Sequence, residues 1–256
     1  MPRFAANLSL LFNEWPLPER FGAARAAGFD AVEIQFPYSM PAQAIARELQ
    51  QHDLQLVLHN LPAGNWDAGE RGIACDPARV EEFRAGVAQA LDYAQALGVT
   101  RLNCLAGIPA AHISPAMAHA TLIDNLHFAA SRLQPHGITL LLEAINTVDL
   151  PGFFVATCAD MRNVLHACNH PNLRMQYDIY HMTRMAQDVA QDLQTCLPQI
   201  GHIQIADVPG RNEPGSGQID YPALFGLLDR TGYQGWVGCE YVPQTGTLAG
   251  LGWMPE

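Results

Sequence analysis

The chain has 256 residues and a formal net charge of −11, and all 14 of its Lys and Arg residues are arginines. A strongly acidic chain without a basic stripe argues against binding of nucleic acid or of an anionic membrane surface. The absence of lysine also excludes a Schiff-base aldolase. With 49% apolar and 15% charged residues and no Ser/Gly linker, we expect one compact domain over residues 1–256.

Short apolar runs alternate with longer amphipathic segments along the whole chain. Amphipathic stripes at helical spacing, such as Val80, Phe83 and Val87, lie between these runs. Each run has the length and composition of a buried strand. The predicted strands cover residues 5–12, 31–36, 55–59, 101–106, 139–145, 174–179, 201–206 and 236–241.

Glycine and proline mark the ends of the predicted helices. Four helices are expected to end at a glycine that precedes an apolar residue, because glycine suits the left-handed position that closes a helix: Gly28, Gly98, Gly137 and Gly232. Prolines lie in or near the first turns, at Pro41, Pro77, Pro115 and Pro222.

Eight strands alternating with seven or eight helices are typical of a (β/α)8 TIM barrel, which is the predicted fold. The alternative is an open, doubly wound sheet. That fold more often has a glycine-rich phosphate turn after its first strand, and residues 10–15 (LLFNEW) contain no glycine.

The last four predicted strands each carry one polar residue near the C-terminal end: Glu143, Asp178, Gln204 and Glu240. In a barrel, such residues face the active site. Three buried carboxylates would repel each other, and a divalent cation resolves the repulsion. An all-oxygen set of three carboxylates and one amide favours Mg²⁺ or Mn²⁺ over Zn²⁺. The alternative is that each acid is an isolated structural residue paired with an arginine.

Several stretches resemble the hydroxypyruvate isomerase family, a branch of the xylose-isomerase-like metal-dependent barrels that includes the 2-oxo-tetronate isomerases. They are residues 6–12 (ANLSLLF), 27–33 (AGFDAVE), 202–221 and 250–253 (GLGW). The resemblance implies that Glu143, Asp178, Gln204 and Glu240 bind the metal, and that Glu143 and Glu240 are the catalytic proton donor and acceptor. Related sugar epimerases usually have His as the fourth ligand, so Gln204 agrees with the isomerase branch.

The implied reaction is an aldose–ketose type isomerisation, most directly of hydroxypyruvate to tartronate semialdehyde through an enediolate. The main alternative is isomerisation of 2-oxo-tetronate. More distant alternatives are a sugar epimerase, a metal-dependent phosphodiesterase of the same superfamily, and a barrel that binds a sugar acid without turning it over.

A site with three carboxylates and one divalent cation would repel an anionic 2-oxo acid unless another cation compensates. Arg211 is the first candidate to bind the substrate, and Arg71, in a long loop after the third strand, is the second. For Arg71 the favoured interpretation is a solvated loop cation, with substrate binding as the alternative. His181 is expected to hydrogen-bond substrate oxygens, by resemblance to the epimerases. His59 either lines the site or is a neutral core histidine.

Glycines and Trp66 in the loop of residues 61–76 suggest a lid, or alternatively a dimer contact through Trp66. A homo-oligomer is compatible with the acidic surface. The six cysteines are scattered without a Cys-x-x-Cys pair, which indicates reduced thiols in a cytoplasmic protein. We found no signal peptide and no apolar run near the ~20 residues that span a bilayer, so no membrane partner is expected.

Overall fold

A computed structural model describes residues 2–254. Within this range eight parallel strands close into one barrel in chain order, and the last strand pairs with the first. The strands are β1 Arg3–Asn7, β2 Ala31–Ile34, β3 Gln55–Asn60, β4 Arg101–Leu105, β5 Thr139–Glu143, β6 Leu173–Asp178, β7 Ile200–Ile205 and β8 Trp236–Cys239. The predicted (β/α)8 barrel is therefore confirmed.

Helices cover the outside of the barrel, so its strands are buried on both faces, which explains their nearly continuous apolar sequences. The helices are α1 Leu17–Ala26, α2 Ala42–Gln51, α3 Val80–Leu97, α4 Pro115–Leu133, α5 Cys158–Cys168, α6 Ile179–Arg184, α7 Val189–Cys196 and α8 Tyr221–Thr231. In the described residues no helix is long and apolar enough to cross a membrane.

The expected helix ends are confirmed. Gly28, Gly98, Gly137 and Gly232 all have positive φ, between 68° and 92°. Ser114 caps α4 by accepting a hydrogen bond from the Met117 amide at 3.2 Å.

One local prediction was wrong, and one helix was missed. The first predicted strand ends at Asn7, and residues 8–12 form turns whose apolar side chains, such as Leu11 and Phe12, are buried. Burial in a turn and burial in a strand leave the same apolar pattern. The short helix α6 was not predicted, because it begins directly after β6 without a linker.

Candidate active site

The C-terminal ends of the strands surround a cavity of about 260 Å³. Its polar lining includes Gln35, Arg71, Glu143, His181, Arg211 and Glu240. A larger cavity of about 430 Å³ opens at the opposite end of the barrel, near the start of β4 and β7, and contains none of the predicted site residues. We therefore assign the site to the smaller cavity, where the titratable groups converge.

Three buried carboxylates meet at this end of the barrel. Glu143 and Asp178 are the last residues of β5 and β6, Glu240 directly follows β8, and none of the three is more than 5% exposed. Burial, together with the charges of Glu240 and Asp178, raises the pKa of Glu143 well above its usual range. Burial raises the pKa of Glu240 to about 7, although Arg211 opposes this rise. The pair therefore favours protonation unless a cation is added.

Asp178 has one satisfied and one unsatisfied oxygen. Oδ1 caps α6 by accepting hydrogen bonds from the amides of Tyr180 at 2.7 Å and His181 at 3.3 Å. Oδ2 is buried and has no hydrogen-bond partner among residues 2–254. Glu143, Asp178 and His181 each offer one atom that could bind a metal ion, and these three atoms lie within 4.8 Å of one another. An unpaired carboxylate oxygen beside a second carboxylate fits a divalent cation.

His181 is oriented as a hydrogen-bond donor rather than as a metal ligand. Asn146 accepts the Asp149 amide through Oδ1 at 2.7 Å, which fixes its amide, so its Nδ2 donates to His181 Nδ1 at 2.7 Å. Burial lowers the pKa of His181 to about 4, so the ring is neutral and its proton is on Nε2. Nε2 lies 3.6 Å from Asp178 Oδ2 and 4.0 Å from Glu143 Oε1.

Arg211 is the cation closest to the acids. Its Nη2 lies 3.1 Å from Glu240 Oε2 and 3.9 Å from Asp178 Oδ2, and its guanidinium lies 5.4 Å from the centroid of the Tyr180 ring. The residue has a φ of 56° and is half-buried in the loop after β7. The structure thus brings Arg211 to the same cavity as Glu143 and Glu240.

The loop that carries Arg211 is built around the buried carboxylate of Asp207. Asp207 accepts hydrogen bonds from the backbone amides of residues 208, 215, 217, 218 and 219, at 2.8–3.0 Å. A Cβ at Gly217 would lie 1.9 Å from the Val208 carbonyl oxygen, so only glycine fits there. The sequence interpretation did not identify Asp207.

Comparison with known proteins agrees with this geometry. The family model described as xylose isomerase-like TIM barrel matches residues 21–256. The chain is 48% identical to the hydroxypyruvate isomerase of Escherichia coli and 45% identical to the 2-oxo-tetronate isomerase of Cupriavidus necator, each over 99% of this chain and 98% of the relative.

The chain belongs to the xylose isomerase-like TIM-barrel family.

Because these full-length relatives are named isomerases, this chain is an isomerase. A solved structure named AP endonuclease, family 2, from Brucella melitensis has a TM-score of 0.96 with 46% identity, covering 99% of this chain and 98% of that one. The predicted similarity to the hydroxypyruvate isomerase family is confirmed.

In this xylose isomerase-like barrel, Gln204 lies beside Asp178 in the register of β6 and β7. Its Nε2 donates to Glu33 Oε1 at 2.8 Å, and its Oε1 accepts from Gln176 Nε2 at 2.6 Å. A carbonyl oxygen has two lone pairs, so Oε1 keeps one for a cation. Metal binding by Gln204 stays a prediction.

The remaining predicted residues differ in position. Arg71 lines the cavity, where its guanidinium stacks 4.1 Å from the centroid of the Trp66 ring. His59 is fully buried and is not part of the cavity lining. Its Nδ1 lies 3.1 Å from the Asn60 carbonyl oxygen, and burial lowers its pKa to about 4. These facts describe a neutral core histidine, the second of the two interpretations given above.

The first half of the chain supplies amides that were missed. Asn103 on β4 donates to Glu143 Oε2 at 2.7 Å, and Gln35, after β2, donates to Glu240 Oε1. Asn7 donates to Glu33 Oε1 at 2.9 Å, and His202 Nε2 lies 2.8 Å from Glu33 Oε2. Asn103 is a polar residue inside the apolar strand β4, but this pattern alone does not assign it to Glu143.

Proposed function

We propose that this isomerase converts hydroxypyruvate to tartronate semialdehyde, using a divalent metal ion. The observation that carries the proposal is the pair of buried glutamates, Glu143 and Glu240, at one cavity of about 260 Å³ with pKa values raised above the ordinary range. A base poised near the working pH can both accept and return a proton.

Glu143, Asp178, Gln204 and Glu240 would hold the metal ion, and the unpaired Oδ2 of Asp178 supports this assignment. Oxygen ligands favour Mg²⁺ or Mn²⁺. When bound, such an ion polarises the substrate carbonyl and supplies positive charge against the enediolate. It also stabilises the ionised forms of the neighbouring carboxylates.

The two glutamates would move the proton between carbons. One of them removes a proton from C3 of hydroxypyruvate, which gives an enediolate, and C2 then receives a proton from the other glutamate or from the same one. The proton of the C3 hydroxyl moves to the C2 oxygen, so the product is an isomer with no net gain or loss. His181 Nε2–H faces the two carboxylates and would hydrogen-bond the oxygens between which this proton moves.

Two arginines would bind the substrate carboxylate. Arg211 and Arg71 both line the cavity, and each offers donors in the planar arrangement that matches a carboxylate. Together they would offset the net negative charge of the metal site. The loop of residues 61–76 would close over the substrate, since Trp66 and Arg71 already contribute to the lining.

The second candidate substrate is 2-oxo-tetronate, because the relative that bears this name is 45% identical to the chain. The same proton transfer applies to both substrates. A phosphodiesterase activity on abasic DNA is supported only by the name of the Brucella melitensis structure. The net charge of −11 opposes it, since a DNA-binding face needs positive charge.

The test is a coupled assay on the full chain, stripped with chelator and then supplied with Mg²⁺ or Mn²⁺. We expect metal-dependent turnover of hydroxypyruvate, with kcat reduced about 10²- to 10⁴-fold in Glu143→Gln and in Glu240→Gln. Glu19→Gln, at an exposed glutamate on α1, is the matched control and should retain full activity.

Turnover of 2-oxo-tetronate alone would keep the mechanism and change the substrate. Cleavage of abasic DNA without turnover of either acid would contradict the proposal. Full turnover after removal of the metal would contradict the role given to the four ligands.

A further inference from the structure

A second cluster of metal-ligating side chains lies in the helical layer, outside the barrel. Cys158 is the first residue of α5, while Asp192 and Cys196 are one turn apart on α7 and therefore share a face of that helix. Donor atoms of these three residues all lie within 4.8 Å of one another. None of them contributes to the lining of the active-site cavity.

The separation of the two sulfurs fits a shared metal ion better than a disulfide. Cys158 Sγ lies 3.6 Å from Cys196 Sγ. Two thiolates about 2.3 Å from a tetrahedral Zn²⁺ are separated by about 3.8 Å, so little movement is needed. A disulfide requires about 2.05 Å, which would need a large approach of the two sulfurs.

The surroundings supply further features of a metal site. Asp192 Oδ2 accepts a hydrogen bond from the Tyr177 hydroxyl at 2.9 Å, which restrains the carboxylate as outer partners of metal ligands commonly do. Both cysteines are 2% exposed, whereas Asp192 is half-buried and opens a path from solvent. The Asp192 carboxylate lies beside the two sulfurs, where a cation would neutralise its charge.

We propose that Cys158, Asp192 and Cys196 form a binding site for a thiophilic divalent cation such as Zn²⁺, with solvent in the fourth position. The site links the first residue of α5 to the last residue of α7. Its two sulfur ligands distinguish it from the all-oxygen active site, which favours harder cations. The site is independent of the isomerase reaction proposed above.

The test uses Co²⁺ as a spectroscopic substitute for Zn²⁺ in the full, reduced chain with saturating Mg²⁺. We expect a thiolate-to-cobalt charge-transfer band that saturates as Co²⁺ is added and that Zn²⁺ displaces. Cys196→Ala should abolish the band and weaken Zn²⁺ binding at least about 100-fold. Cys168→Ala removes a buried cysteine at the far end of α5 and should keep both.

Asp192→Asn is the second variant, because it keeps both sulfurs and a side chain of the same shape. It should weaken Zn²⁺ binding about 10- to 100-fold while its melting temperature without metal stays close to that of wild type. With Mg²⁺ saturating and Zn²⁺ near its wild-type Kd, Zn²⁺ should raise the melting temperatures of the wild-type chain and of Cys168→Ala more than those of Cys196→Ala and Asp192→Asn.

The proposal is overturned if the wild-type chain shows no charge-transfer band, or if Cys196→Ala shows the same band. It is also overturned if the purified chain, never treated with oxidant, is 2 Da lighter than its sequence and Cys158 and Cys196 are found in one disulfide-linked peptide.

Discussion

The two halves of the barrel contribute different chemistry to the same cavity. Strands β5–β8 lead to the carboxylates Glu143, Asp178 and Glu240, whereas β1–β4 lead to amides such as Gln35 and Asn103 that donate hydrogen bonds to those carboxylates. The acids can hold a cation or a proton, while these amides donate hydrogen bonds that fix where the acids point. The first half of the chain therefore orients groups that the second half supplies.

Removal of an acid from the second half should weaken metal binding strongly. Asp178→Asn replaces the unpaired Oδ2 with a group of the same shape and no charge, so we expect metal affinity to fall at least about 100-fold. Isothermal titration with Mn²⁺ measures the loss. Asp124→Asn, on the exposed face of α4, is the control, and equal affinities in the two variants would refute the assignment.

Because the pKa of Glu240 is raised, the metal-free chain should become less stable as the pH rises. The pKa of Glu240 is raised from 4.5 to about 7 in the fold, so the folded state is not penalised below pH 4.5 and loses stability as the pH rises through 7. The loss should be on the order of 3 kcal/mol. Denaturant unfolding between pH 5 and 8 should show a flatter profile for Glu240→Gln.

Saturating Mn²⁺ should reverse that trend, because the cation binds the ionised carboxylates and its affinity rises with pH. A metal-free chain whose stability stays constant over this range would contradict the raised pKa.

Removal of an amide from the first half tests whether the amides orient the acids. Asn103→Ala deletes the donor to Glu143 Oε2, and we expect metal affinity or kcat to fall about 10- to 100-fold. Asn125→Ala is a matched control, because Asn125 is equally buried and donates to the Ala74 carbonyl oxygen at 2.9 Å. Both variants should lose about 1–3 kcal/mol of stability, and only Asn103→Ala should lose function.

Arg211 is a cation in the acidic half, and its loss should shift the pH dependence of the reaction. Arg211→Gln removes the charge 3.1 Å from Glu240 that opposes the rise of its pKa. The acidic limb of the kcat/KM profile should therefore move to higher pH by roughly one unit, since Glu240 must be ionised to act. Arg162→Gln, on the exposed face of α5, should leave the profile in place.

The acids could be predicted from the sequence, and their partners could not. A carboxylate inside an apolar strand is costly, so Glu143 and Glu240 stand out on one strand each. Asn103 is also polar in an apolar strand, but an amide needs no countercharge and has many structural uses. Its role depends on β4 lying beside β5, which only the closed barrel establishes.

The position of Arg211 and the role of His59 could not be predicted from the sequence either. The sequence places Arg211 in a loop of glycines and prolines, but its φ of 56° and its contact with Glu240 depend on the five amide hydrogen bonds to Asp207. His59 ends β3 as a site residue would, yet it is fully buried. Which face of a strand end reaches the cavity depends on register, including the irregularity between Val32 and Glu33 beside β3.

Because the carboxylate of Asp207 holds the loop of residues 207–219 in place, part of this loop can be varied in enzyme engineering. The amides that it binds belong to residues 208, 215 and 217–219, so residues 210–214 are held at both ends by hydrogen bonds to one carboxylate. Libraries that vary residues 210–214, with Asp207 and Gly217 kept, would be screened for turnover of other acid substrates.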